Sequence, residues 1–157
     1  MGPVLAATKA RITRLLEASH ALVPDLRIGV VTYRDHGRSE KYVTRAVPLG
    51  RDLFRAINFM QTVEHGGGGD HPEAIYDGLK LAVEQRWRSR ARRVIVLVGD
   101  APAHPEDERK IERLLRSFVR DQRSHVHAIM TTPNPISGVH PRTTASFRRL
   151  VGVEDFG

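Results

Sequence analysis

Residues 94–98 read Val-Ile-Val-Leu-Val, five apolar residues in a row, of which four are β-branched. A run of this composition and length favours a strand that is covered on both faces. The residues on either side of it show a different spacing. Ile75, Leu79 and Val83 precede the run, and Ile111, Leu115 and Phe118 follow it, at intervals typical of amphipathic helices. A buried strand between two such helices indicates an α/β fold.

The remaining elements extend this pattern along the chain. We predict further strands at residues 26–33, 42–47 and 126–130, and helices at 4–19, 51–61, about 72–86, 111–119 and 144–151. The first helix should bury one apolar stripe, and the strand at 42–47 should end at Pro48. Only eight residues join the strands at 26–33 and 42–47, which is too short for a helical crossover and predicts an antiparallel pair. We therefore expect an open α/β sheet, mostly parallel, with one antiparallel edge strand and helices on both faces.

Length and composition narrow the class of protein. A chain of 157 residues fits a single domain. It has no cysteine, which excludes disulfides and thiolate metal sites, and no apolar run long enough to cross a membrane. The first residues lack the charged segment of a secretion signal, so we expect a cytoplasmic protein. The net charge of +7 comes from 21 arginines and four lysines against 18 acidic residues.

Acidic residues occur where ligands usually bind in open α/β sheets, beyond the carboxyl ends of strands. Asp35 follows one predicted strand, Asp100 follows the most apolar one, and Asp70 and Glu73 lie at a predicted helix start. A hard divalent cation, Mg²⁺, Ca²⁺ or Mn²⁺, would relieve the repulsion between carboxylates that converge there. The alternative is local: Asp70 caps the helix, Glu73 favours its dipole, and Asp100 turns the chain.

Three segments together resemble the von Willebrand factor type A (vWA) domain family. They are the strand that leads into Tyr-Arg-Asp-His at 33–36, the stretch Gly-Gly-Gly-Gly-Asp-His-Pro-Glu-Ala at 66–74, and Val-Ile-Val-Leu-Val-Gly-Asp-Ala-Pro-Ala-His at 94–104. The resemblance covers roughly residues 1–150 and implies a Rossmann-like open sheet. It also implies an interaction module in which Mg²⁺, held at a metal-ion-dependent adhesion site, binds an Asp or Glu carboxylate of a protein partner.

The same resemblance assigns residues to the site. By position, Glu73 matches the ligand from the middle loop and Asp100 the ligand from the later strand. In the integrin-like variant a second cation lies alongside, and Asp35, Asp70 and the Pro72 carbonyl fall where its ligands would be. We therefore expect the carboxylates of Asp100 and Glu73 to be close enough to share one cation.

This sequence departs from the family pattern at both ends. The family's first strand, with its Asp-x-Ser/Thr-x-Ser motif, is absent, and so is the family's last strand. We therefore expect a single domain over residues 1–157 that is truncated at its N-terminus and at its C-terminus. The missing first strand lies, in the family, between the strands at 26–33 and 94–98. Its absence predicts an incomplete Mg²⁺ site that binds weakly or is completed by a partner. It also predicts open strand edges that could support self-association.

Two other functions remain open. Asp100 and Glu73 could serve a metal-dependent hydrolase or phosphotransferase, although no nucleophile–base set or substrate pocket can be assembled from spacing. The arginine-rich turn at 86–93, which contains Trp87, could bind nucleic acid by phosphate contacts and stacking, although it also fits an ordinary solvated turn. The four glycines at 66–69 lack the Gly-Lys-Ser/Thr ending of a phosphate-binding loop. We expect a protein that is not an enzyme, does not bind nucleic acid and does not contact membranes.

Overall fold

The computed structural model describes residues 2–37, 40–64 and 73–130. Within them the chain forms helices and strands in this order: α1 (Gly2–Leu22), β1 (Ile28–Tyr33), β2 (Thr44–Gly50), α2 (Leu53–Gln61), α3 (Ile75–Val83), β3 (Arg93–Gly99), α4 (Glu108–Val119) and β4 (Ser124–Met130). A short 3-10 turn, Pro105–Asp107, precedes α4. The predicted mixed α/β composition is confirmed. The predicted helix at 144–151 lies outside the described residues. The predicted start of α3 near Pro72 is wrong, because α3 begins at Ile75 and the backbone of Glu73 pairs with Ala103 instead.

The strands form two small sheets. β1 pairs with β2 antiparallel, as the short link predicted, and β3 pairs with β4 in parallel, with Arg93 opposite Ser124 and Gly99 opposite Met130. The predicted end of β2 at Pro48 is wrong, because the strand continues to Gly50. The pairing shifts register opposite this proline, and such a bulge tolerates a residue that has no N–H to donate.

β1 and β3 run side by side in the same direction, yet they are joined by side chains only. Arg88, shortly before β3, donates to the Asp25 carbonyl, just before β1, over 2.8 Å. At the other end the Tyr33 hydroxyl donates to the Val98 carbonyl over 3.1 Å. Within residues 2–37, 40–64 and 73–130, no backbone hydrogen bond links the two strands. The described residues therefore form two separate sheets, and the single open sheet expected from the sequence is not seen among them.

The main core lies on one side of β3 and β4. Side chains of α3 and α4 pack there against the inward residues of both strands, and the fully or nearly fully buried members are Ile75, Leu79, Ile95, Leu97, Ile111, Leu115, Phe118 and Val126. The expectation that β3 is covered on both faces is wrong. Val94 and Val96 are 42% and 44% exposed, because the helices that cover β3 lie against the opposite face.

The first helix does not cover the exposed face of β3. α1 packs against α2 rather than against β3, and the Lys9 ammonium donates to the carbonyls of Gln61 and Val63. Among its described side chains none is fully buried, and Leu15 is half exposed. The predicted buried stripe on this helix is therefore wrong. No helix in the described part of the chain is both long and apolar enough to cross a membrane.

Candidate functional site

Asp35 lies directly after β1 and is buried. His104 Nε2 lies 2.7 Å from its Oδ1. Burial opposes ionisation of this carboxyl group, but the backbone N–H of His36 and the His104 side chain outweigh it and hold the pKa of Asp35 below its ordinary value. The carboxylate is therefore ionised and already engaged by a neighbouring side chain.

Glu73 is held between the segments that follow β1 and β3. Its backbone N–H donates to the Pro102 carbonyl over 2.9 Å, and it forms an isolated parallel bridge with Ala103. The next residue, Ala74, donates its N–H to the Arg34 carbonyl over 3.2 Å. These three contacts fix the chain just before α3 at the carboxyl ends of both strands, where the sequence placed the site.

The surroundings of Glu73 disfavour its charge. Burial raises the pKa of its carboxyl group to about 7, and the nearby charges of Asp35, Asp100 and Glu40 contribute to the same shift. Asp100 begins the loop after β3 and is partly buried. The structure thus brings Asp35, Glu73 and Asp100 to one end of the strands, so that the three interact electrostatically.

Tyr33 lies next to this group of acidic side chains. Its ring packs against α3 at Gly78, and its hydroxyl bonds to Val98 just before Asp100. Burial, followed by the charges of Glu73 and Asp100, raises the pKa of Tyr33 well above its ordinary range, so the residue stays neutral. It supplies shape and one hydrogen bond rather than charge.

Glu40 is a member of the group that the sequence analysis did not select. Its carboxyl group is almost fully buried; Oε2 accepts from Arg34 over 3.0 Å, while Oε1 has no hydrogen-bond partner among the residues that the structure describes. Arg34 also donates to the Glu64 carbonyl over 2.9 Å. Glu40 stands in a short polar stretch that reads as a solvated loop, so no pattern in the sequence distinguishes it.

Two histidines line the same end. His36 Nε2 lies 3.0 Å from the Asp77 carboxylate on α3, and the rings of His36 and His104 are 6.0 Å apart. His104 lies at this end as the partner of Asp35.

The described residues do not by themselves make a metal site. No group of three or more histidine or acidic side chains within 2–37, 40–64 and 73–130 has an arrangement that could hold a metal ion. Asp70 and Pro72, two of the ligands implied by the resemblance, lie outside those ranges. The described carboxylates therefore supply an acidic pocket that needs further ligands before it can hold a cation.

The arginine-rich turn lies at the opposite end of the strands. The Trp87 indole donates to the Ala82 carbonyl over 3.1 Å, and its ring packs 5.6 Å from the ring of Phe118. The tryptophan is therefore partly buried against the core rather than presented as an open ring.

No protein-family model matches this chain. Over 107 residues the chain is 28% identical to "Alpha-protein kinase vwkA" of Dictyostelium discoideum. The aligned part is 66% of this chain and 17% of that protein, so the chain spans about one sixth of the length of this curated relative.

Proposed function

We propose that this chain is a vWA-like interaction module that recognises an acidic group of a protein partner at the carboxyl ends of β1 and β3. The observation that carries the proposal is the placement of Glu73: its backbone is fixed to Pro102 and Ala103 after β3, and Ala74 is fixed to Arg34 after β1. This brings the Glu73 carboxyl group near Asp35, Asp100 and Glu40, and burial together with their charges raises its pKa to about 7. A carboxyl group held beside other acidic side chains at this cost to its own ionisation favours a site that takes up positive charge. In this account Mg²⁺ supplies that charge and offers a coordination position to the partner's carboxylate.

The proposal includes the identity of the ligands. Glu73 and Asp100 would contribute directly, and Asp70, outside the described residues, would join them. Asp35 is held by His104, so its participation in a second cation site requires that contact to open. Ca²⁺ or Mn²⁺ could replace Mg²⁺ in an all-oxygen site of this kind.

The proposal also includes one further strand between β1 and β3. The Tyr33 side chain and its 3.1 Å hydrogen bond to the Val98 carbonyl together span the separation between β1 and β3. This separation is roughly 10 Å, about twice the ~4.8 Å spacing of paired strands. A strand in this position would satisfy the open edges of β1 and β3 and complete a single sheet with the antiparallel strand β2 at its edge. By the resemblance, its Asp-x-Ser/Thr-x-Ser motif would bring the hydroxyl ligands that the described carboxylates lack. In the absence of such a strand the same edges would favour self-association.

The test compares the chain as given with a version that carries an N-terminal strand bearing Asp-x-Ser/Thr-x-Ser. Calorimetric titration should detect Mg²⁺ binding in the extended protein and weak or no binding in the short one, because Mg²⁺ demands near-octahedral oxygen ligation. A matched extension with Ala replacing the Asp and both hydroxyl residues separates ligation from simple strand pairing. Equal Mg²⁺ affinity in all three proteins would contradict the proposal.

A second candidate is a metal-dependent phosphotransferase that uses Asp100 and Glu73, and the name of the Dictyostelium discoideum relative favours it. The aligned region is a small part of that kinase, so the match is equally consistent with a non-catalytic segment. Release of phosphate or labelling of a protein substrate from ATP and Mg²⁺, abolished by Asp100→Asn, would support the phosphotransferase. Mg²⁺ binding without turnover would support the interaction module.

A further inference from the structure

The end of the strands opposite the acidic pocket carries a cluster of arginines around Asp25. Arg51 donates to Asp25 Oδ1 over 2.5 Å, and Arg88 contacts Oδ2 and also the Asp25 carbonyl. These hydrogen bonds hold the pKa of Asp25 below its ordinary value. Asp25 therefore fixes three separate segments next to one another: the end of α1, the start of α2 and the turn before β3.

The surrounding arginines are free to bind something else. At this end of the strands, the segments before β1 and β3 contain four exposed arginines without an ion-pair partner among residues 2–37, 40–64 and 73–130: Arg27, Arg86, Arg90 and Arg92. Exposed arginines without an ion-pair partner in those ranges also occur elsewhere, as at Arg109 and Arg113 on α4. The acidic side chains at this end are mostly engaged: Asp25 is paired with Arg51 and Arg88, Asp52 caps α2, and Asp121 is paired with Arg93 and Arg123, while Glu84 is exposed at the end of α3. We call this surface the arginine face.

Two large apolar side chains that lie close in the chain to Asp25 and Arg51 are highly exposed. Leu22, three residues before Asp25, is 82% exposed, and Phe54, three residues after Arg51, is 76% exposed. They are the most exposed large apolar side chains in the described part of the chain. Because Arg51 and Asp25 are in direct contact, both side chains lie within about two helical turns of the cluster.

We propose that the arginine face binds the surface of an anionic phospholipid bilayer. Guanidinium groups match lipid phosphates by planar, bidentate hydrogen bonding, and isolated apolar side chains next to them can enter the boundary between headgroups and acyl chains. Each arginine near an anionic surface strengthens binding by about fivefold, and the effect is screened by salt. Single-stranded nucleic acid fits less well, because the indole of Trp87 packs against Phe118 and is only partly exposed, which makes it a poor surface for base stacking. The inference does not depend on the function proposed for the acidic pocket at the other end of the strands.

The experiment is co-sedimentation with vesicles of phosphatidylcholine alone or phosphatidylcholine mixed with phosphatidylserine, at low and high salt. We expect binding to the mixed vesicles only, weakened by salt. The variant R86Q/R90Q/R92Q should lose more than about tenfold in affinity. The variant R109Q/R113Q/R116Q removes the same charge from exposed positions on α4 and should lose much less.

The apolar contribution is tested separately with L22S/F54S. Since both side chains are exposed, the substitutions should leave thermal unfolding unchanged and weaken vesicle binding severalfold. An oligonucleotide titration with the same variants provides the comparison with nucleic acid. The proposal is overturned if the protein does not bind phosphatidylserine vesicles, if the two triple variants lose equally, if L22S/F54S binds normally, or if only the oligonucleotide binds at the arginine face.

Discussion

At the scale of single residues, Glu73 determines how the described fold responds to pH. The pKa of its carboxyl group is about 7 in the folded protein against an ordinary value of 4.5, so the folded state holds this proton more tightly than the unfolded chain does. Its contribution to stability is therefore complete below about pH 4.5 and is lost as the pH rises towards 7.

We expect Glu73→Gln to remove this dependence. After allowance for solvent screening at a half-buried group, the variant should gain on the order of 1 kcal/mol in unfolding free energy near pH 8 and little near pH 5. Urea unfolding at the two pH values measures the difference, with Glu84→Gln on the exposed end of α3 as the matched control. A loss of stability in Glu73→Gln near pH 8 would contradict the electrostatic account of the pocket.

Gly78 is a second residue at which the structure leaves little room for a side chain. A Cβ atom here would lie 2.9 Å from Cδ1 of Tyr33 and 3.1 Å from its Cβ, whereas one at Gly50 meets only ordinary contacts. We expect Gly78→Ala to destabilise the protein by about 1 kcal/mol despite the better helix propensity of alanine, and Gly50→Ala to have a smaller effect. In a Tyr33→Ala background Gly78→Ala should become neutral or stabilising. Additive unfolding free energies in this double-mutant cycle would show that the two residues do not interact.

Sequence patterns place the acidic residues well but not their partners. Asp35, Glu73 and Asp100 come together because strands and helix starts determine where the chain leaves the sheet. Glu40 could not be found in this way, since its burial depends on Arg34, which approaches it only in the folded chain. The position of Asp70 remains a prediction.

At the scale of elements, the side-chain link between β1 and β3 is open to direct test. Tyr33→Phe removes the hydroxyl that bonds to the Val98 carbonyl and should cost about 1 kcal/mol of unfolding free energy. Tyr76→Phe is the control, because Tyr76 packs against the same core. If both variants unfold at the same urea concentration, the link contributes nothing to stability.

The helices and strands can be predicted from local sequence patterns more closely than the packing of one element against another. α4 and β3 were predicted because a helical apolar stripe and a β-branched run depend on neighbouring residues only. The exposure of Val94 and Val96 was not predicted, because an apolar run specifies that a strand is buried but not which helix covers each face. The same limit applies to α1, whose apolar spacing is helical although its main packing within the described residues is against α2.

At the scale of the whole molecule, the open edges of the two sheets leave a place for the proposed strand, and filling that place should stabilise the fold. A strand placed between β1 and β3 would pair both open edges and cover apolar surface, at about 25 cal/mol for each Å² buried. We therefore expect the extended protein to melt at a higher temperature than the chain as given, with or without Mg²⁺. An unchanged melting temperature in scanning calorimetry would count against insertion between β1 and β3.

The most direct test of the proposed function is Mg²⁺ titration of the extended protein with Asp100→Asn, alongside Asp77→Asn as a matched control. Asp77 carries the same charge at the same end of the strands but contacts His36. The account predicts that Asp100→Asn lowers Mg²⁺ affinity at least about tenfold, as loss of a direct carboxylate ligand should, while Asp77→Asn changes it little. Equal affinity in the Asp100→Asn variant and the unsubstituted extended protein would contradict the assignment of the acidic pocket as the Mg²⁺ site.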